Sequence, residues 1–175
     1  MNKRKEPTKK DDKHVRILAE TGSVQHNHRG ELYKEAFERI KKGNEQGNYF
    51  EVITLVDSII TDRVHSLVQH IRKHEDDDYQ VQSAGGMIAI YNTTVKTHKL
   101  VPPPDFKKLI NKQVENKWVP VRNFIAHSFV VVTNSNVTID KEERMEILKQ
   151  CAIDGEKYAH EMRTQIDKII IDMYR

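Results

Sequence analysis

Apolar residues recur at intervals of three and four along most of this chain, the pattern of amphipathic helices. Tyr33, Ala36, Phe37 and Ile40 mark a helix over about 30–42, and Gly43, Asn44, Gly47 and Asn48 break the pattern after it. A longer helix is predicted over 49–74. Its stripe is Val52, Val56, Ile60, Leu67 and Ile71, thickened by Leu55, Ile59, Val64 and Val68, with a polar edge that includes Thr54, Asp57, Ser58 and Thr61. The acidic run Glu75 to Asp78 ends it. In 81–98, Met87, Ile88, Ile90 and Tyr91 fit a short helix, against which the pair Gly85-Gly86 counts. Pro102-Pro103-Pro104 is a break, and Asp105 is a suitable N-cap for the next helix. The stripe of that helix, Phe106, Ile110, Val114, Trp118, Val121 and Ile125, runs straight across Pro120. A kinked helix, or two helices end to end, is expected there.

After His127 the pattern changes. Phe129 to Thr133 is rich in β-branched residues, Asn134-Ser135-Asn136 is turn-like, and Val137-Thr138-Ile139 comes next, which together predict a small β-hairpin. Asp140 and Glu143 have the spacing of a capping box. The last helix, from about 141 to the end, places Met145, Leu148, Ala152, Gly155, Ala159, Met162, Ile166, Ile169 and Met173 on an unbroken heptad seam. Such a seam serves packing within a bundle or a dimer interface, and sequence does not separate the two. The expected fold class is all-α: an antiparallel helical bundle, with the hairpin before its long C-terminal helix.

Composition narrows the setting. The 175 residues fit one domain, and no run of about 18 apolar residues spans a membrane. The single cysteine, Cys151, forms neither an internal disulfide nor a zinc cluster, so a soluble protein of a reducing, cytoplasmic compartment is expected. The net charge of +3 comes from the N-terminus: residues 1–30 hold eight Lys/Arg against four Asp/Glu, which leaves the remainder nearly neutral. Residues 1–28 read as a mobile basic arm and 29–175 as the folded domain. No phosphate-binding glycine loop and no convincing serine or cysteine triad is present. His70, His74 and Asp76 to Asp78 are a weak metal candidate, better read as a solvated helix end, and no metal or cofactor is expected.

The chemistry concentrates in Val119-Pro120-Val121-Arg122-Asn123-Phe124-Ile125-Ala126-His127. Histidine titrates where protons move at neutral pH, and arginine presents an always-charged planar fork to phosphate oxygens. Together they can supply proton transfer and charge neutralisation, two needs of chemistry at a phosphate. On an α-helix Arg122 and His127 sit about 140° apart, whereas Asn123 and His127 share a face. Asn123 is therefore placed to hold the imidazole. Asp57 or Glu51 could pair with Arg122 and orient it. Lys112 and Lys117 belong to a basic stretch, 96–122, with seven Lys/Arg and two acidic residues, and are candidates for holding an RNA backbone. Arg63 and His70 form a second pair with a six-residue gap, mid-helix and without a following asparagine, which reads as a chance match.

The string Arg-Asn-Phe-Ile-Ala-His resembles the Arg-x(4–6)-His signature of the HEPN superfamily, in which a polar residue comes directly after the arginine. The resemblance covers about residues 30–175, including the acid-bearing upstream helix that begins Tyr49-Phe50-Glu51. It implies a small helical bundle and a metal-independent endoribonuclease with Arg122, Asn123 and His127 as catalytic residues, cutting RNA by attack of the 2′-OH: a base takes the hydroxyl proton, a cation neutralises the phosphorane and an acid protonates the leaving 5′-oxygen. It also implies a homodimer with two motifs in one cleft, RNA as substrate, and a toxin–antitoxin or antiviral-defence setting with an antitoxin or regulatory partner, such as a nucleotidyltransferase. The competing reading is a non-catalytic helical module for dimerisation and RNA binding.

Overall fold

Every element of the computed structural model is helical among the residues it describes: the backbone of 24–72, 81–128 and 141–174, and the side chains of 30–72, 81–126 and 141–174. In chain order these are α1 (Val24–Gln46), α2 (Tyr49–Ile71), α3 (Ala84–Thr97), α4 (Pro104–Lys107), a π-helical segment (Lys108–Trp118), α5 (Val119–Ser128) and α6 (Lys141–Met173). The expected hairpin after Phe129 and the acidic run from Glu75 lie outside the described residues, as do residues 1–23 of the expected arm. No described helix is long and apolar enough to cross a membrane. The chain divides into two units, 1–38 and 39–175. What is described of the first is the N-terminal part of α1, which starts within the stretch read as an arm. The second holds the rest of α1 and every later element.

The α2 helix is the centre of this second unit, packing against both α6 and α3. Val52, Val56, Ile59, Ile60, Val64, Leu67 and Val68 are buried along it, as the stripe required. Burial extends further than the stripe, to Ile53, Ser66 and Arg63. The π-helical segment lies against α6 and α3, and α5 against that segment and α6.

Two glycine signals mean closeness here, not interruption. The α1 helix continues through Gly43 and Asn44 and stops only at Gly47, whose φ of 77° is left-handed. A Cβ on Gly43 would come within 2.6 Å of the Val52 side chain, so glycine lets α2 approach. Gly85 and Gly86 are likewise helical: α3 forms around them because Ala84, Met87, Ile88 and Tyr91 are all buried on one side. That helix ends at Thr97, and Lys99, just past the capping His98, has φ 53°, a left-handed position no glycine announced.

Near the proline run, the N-cap is Pro103, Pro104 takes the first helical position, and Asp105, expected as the cap, falls two residues past it inside the first turn. The helix then crosses Pro120 by changing its winding. A spacing of four drifts about 40° per step on an α-helix, which would swing Trp118 away from Phe106. The wider π turn offsets that drift, and Phe106, Ile110, Val114 and Trp118 are all essentially buried. The π winding gives way to α winding just before Pro120, with the Val119 N–H bonded to the Val114 carbonyl.

The heptad seam on α6 faces inward. Leu148, Ala152, Gly155, Ala159, Met162 and Ile166 are buried, while Met145 and Met173 at its ends are exposed. A Cβ on Gly155 would meet the Trp118 indole nitrogen at 2.6 Å and Val56 at 3.1 Å. The small residues therefore admit α2 and Trp118 of the same chain, and the central seam is bundle core.

Candidate functional site

Arg122 stands where three elements meet. Its Nη2 donates to Asp57 Oδ1 on α2 at 2.6 Å, and its Nη1 donates to the Asn123 side-chain carbonyl at 2.7 Å. The guanidinium carbon lies 5.9 Å from the centroid of the Trp118 ring, within cation–π range. Trp118 in turn donates from its indole N–H to the Cys151 carbonyl on α6 at 3.2 Å. The Arg122 side chain is 15% exposed and that of Asp57 24%, so the pair is shielded but still reaches water. Arg122 Nε is buried with no hydrogen-bond partner.

Of the two acids that sequence offered for Arg122, the structure selects Asp57. Glu51 belongs instead to Arg39, whose Nε lies at 2.9 Å and Nη2 at 2.5 Å from Glu51 Oε1. That pair is exposed and adds little to stability. The choice comes from helical phase: Asp57 sits next to Val56, which packs by Gly155 and Trp118, whereas Glu51 lies nearly two turns earlier on α2.

His127 lies on α5, five residues beyond Arg122; its side chain, and hence its expected contact with Asn123, falls outside the described residues. Asn123 is exposed and turns its carbonyl oxygen to Arg122. Lys112 and Lys117 are both exposed on the π-helical segment. A shallow groove of about 590 Å³ runs past His160, Arg163, Asp167 and Ile171 on α6, and Arg122 does not line it. Among the described residues no cluster of His, Cys, Asp and Glu could hold a metal ion.

The other Arg–His pair is structural. Arg63 is buried and ion-paired with Asp167 of α6, and His70 Nδ1 lies 3.0 Å from the Tyr174 hydroxyl. The two contacts fasten the C-terminal half of α2 to the last turns of α6. Sequence reasoning missed the burial of Arg63; its place between Ile60 and Val64, inside the apolar stripe, was the available signal.

Cys151 is 4% exposed, and burial, with Asp154 adding to it and Arg122 opposing, pushes its thiol from an ordinary 9.0 up to about 12. Because the folded value is the higher one, the folded chain retains a proton that the unfolded chain releases above pH 9. Stability present below that pH is therefore lost as pH rises towards 12. Tyr91, raised by burial, acts in the same direction. The urea midpoint should fall steadily above pH 9, and Cys151→Ala should flatten the fall; a midpoint independent of alkaline pH would contradict the buried thiol.

No protein-family model matches this chain, and no curated protein or solved structure matches it.

Proposed function

We propose that this chain is a HEPN-type helical bundle acting as a metal-independent endoribonuclease. The observation that carries the reading is the bonding of Arg122: a carboxylate on the long upstream helix and the asparagine next to it in the motif hold the two ends of its fork. A cation meant for phosphate oxygens needs such fixing, since positioning is most of what electrostatic catalysis requires. Each bonded terminal nitrogen keeps a second N–H for an oxyanion.

In this reading His127 takes the proton of the ribose 2′-OH, the 2′-oxygen attacks phosphorus, and Arg122 stabilises the added charge. The P–O5′ bond breaks as an acid protonates the 5′-oxygen, giving a 2′,3′-cyclic phosphate and a 5′-OH. Imidazole and guanidinium supply both functions without a metal ion. A second copy would bring a second His127 as the acid, and since the seam of α6 is spent inside the chain, that copy would meet another surface. The substrate is RNA; an antitoxin or other regulatory partner would restrain the activity in a toxin–antitoxin or antiviral setting.

The shielding of Arg122 favours a second reading, in which the Arg122–Asp57 pair only joins α5 to α2 and the domain is a non-catalytic module. The test is incubation of the purified chain with mixed cellular RNA in excess EDTA, beside a folded His127→Ala variant. The ribonuclease reading expects new 5′-OH ends from the wild type alone. Cleavage abolished by EDTA, or equal in both proteins, would reject it.

A further inference from the structure

We propose that the solvent face of the π-helical segment, with the α-helical residues on either side of it, is a track for single-stranded nucleic acid, with phosphates on Lys107, Lys112 and Lys117 and a base stacked on Phe124. The inference rests on the ribonuclease reading for where the strand leads, not for its binding.

The three lysines are five residues apart, and all are exposed. On an α-helix a step of five turns the next residue about 140° away, so they would point to different sides. In a π-helix residues i and i+5 are the hydrogen-bonded pair, and a step of five brings a residue to the adjoining part of the next turn. Lys117 shows the consequence. On an α-helix it would lie over Ile110, seven residues earlier and 1% exposed, inside the core-facing stripe. The wider winding carries it out to solvent instead. The π segment thus does two things at once: it holds the buried stripe in place and turns separated lysines into a row.

None of the three has an ion-pair partner among the described residues, nor has the neighbouring Lys108, which is also exposed. The row is an unneutralised line of positive charge, complementary to a phosphate backbone. It continues into apolar surface. Val121 and Phe124, four and seven residues beyond Lys117, come next on the largely α-wound continuation and therefore on the same side. They are 39% and 38% exposed, high values for large apolar side chains on a packed helix. A cationic row ending at an exposed aromatic is the arrangement that binds single strands, whose unpaired bases are free to stack. One row tracks one strand. His127 lies three residues past Phe124, so a strand stacked there arrives at the motif.

The test uses the full chain carrying His127→Ala, in EDTA, titrated over a salt series with fluorescent oligouridylate and oligodeoxythymidylate. Both should bind, because phosphate contacts and stacking do not need the 2′-OH. The slope of log K against log salt should be about −2, from roughly 0.7 per phosphate and three contacts. Lys107→Gln, Lys112→Gln and Lys117→Gln together should abolish most of the binding and of the slope. Phe124→Ala should weaken it about tenfold with the slope intact. The proposal fails if Lys41→Gln, Lys42→Gln and Lys157→Gln together, an equal loss of charge elsewhere, weaken binding as much. It also fails if duplex RNA competes as well as single strands, or if Phe124→Ala dissociates a dimer and leaves the affinity unchanged. Oligonucleotide binding without RNA cleavage by the wild type would reject the ribonuclease and leave the track standing; cleavage unaffected by the triple substitution would do the reverse.

Discussion

Trp118→Ala should lower the free energy of unfolding by about 3–5 kcal/mol, as large aromatic truncations in packed cores do. Small domains have in all about 5–15 kcal/mol, so the variant would be near the limit of folding. The indole is 2% exposed and supports three neighbours at once. It donates to the Cys151 carbonyl on α6, fills the space that Gly155 leaves open, and presents its ring to Arg122. Truncation leaves a cavity that α6 cannot close, because the glycine opposite has no side chain to move into it. Trp118→Phe keeps part of the ring and loses the donor, and should cost clearly less. Since Trp118 is the only tryptophan, urea unfolding would be followed by far-ultraviolet circular dichroism. An unchanged midpoint in the alanine variant would mean that α6 and the π segment are not joined through this residue.

The helical class and most of the core were legible because burial is written into spacing. The stripe from Val52 to Ile71 needs only the α-helical period, and the structure buries it. Where the sequence misled, the cause was a residue with two physical uses. Gly43 and Gly85 looked like breaks, yet a glycine also permits close approach, and only the facing helix tells the two apart. The seam of α6 was open for the same reason: small residues admit a neighbour without saying whether it belongs to the same chain. The π winding left its trace in the repeated spacing of four from Phe106 to Trp118, which fits an α-helix badly, but Pro120 offered a more familiar explanation.

At the site, sequence narrowed the partner of Arg122 to two carboxylates, and helical phase decided for Asp57. Trp118 beside the guanidinium was a contact that sequence reasoning missed, although a separation of four makes neighbours on an α-helix and the chain is α-wound from Val119 on. Shielding alone does not separate Arg122 from Arg63, which the missing asparagine had set apart in the sequence. Both are shielded arginines on helices, each paired with a carboxylate from another helix. What distinguishes them is surroundings: Arg63 is buried inside the apolar stripe of α2, while Arg122 has the exposed Asn123 beside it.

Arg122→Met should reduce RNA cleavage by at least about a hundredfold if the guanidinium meets the phosphorane, in line with the loss of a single oxyanion donor elsewhere. The same variant leaves Asp57 shielded without its counterion. Removing one member of a fully buried pair costs about 3–5 kcal/mol. With 15% and 24% of the two side chains exposed, water takes up part of that, and a smaller loss is expected. Low activity alone would therefore say nothing, since a weakened fold also cleaves poorly. The double variant Arg122→Met with Asp57→Leu separates the causes. Replacing both charges by apolar groups is often neutral for stability, so the urea midpoint should return towards that of the wild type. Methionine still covers the Trp118 ring, which keeps the packing beneath it intact. If Arg122 is only a joint between α5 and α2, cleavage returns with stability. If it acts on the phosphate, the protein is restored and the activity is not, because no side chain remains to neutralise the fifth ligand's charge at phosphorus. Full cleavage by a stable double variant would remove Arg122 from the chemistry and leave the motif without its cation.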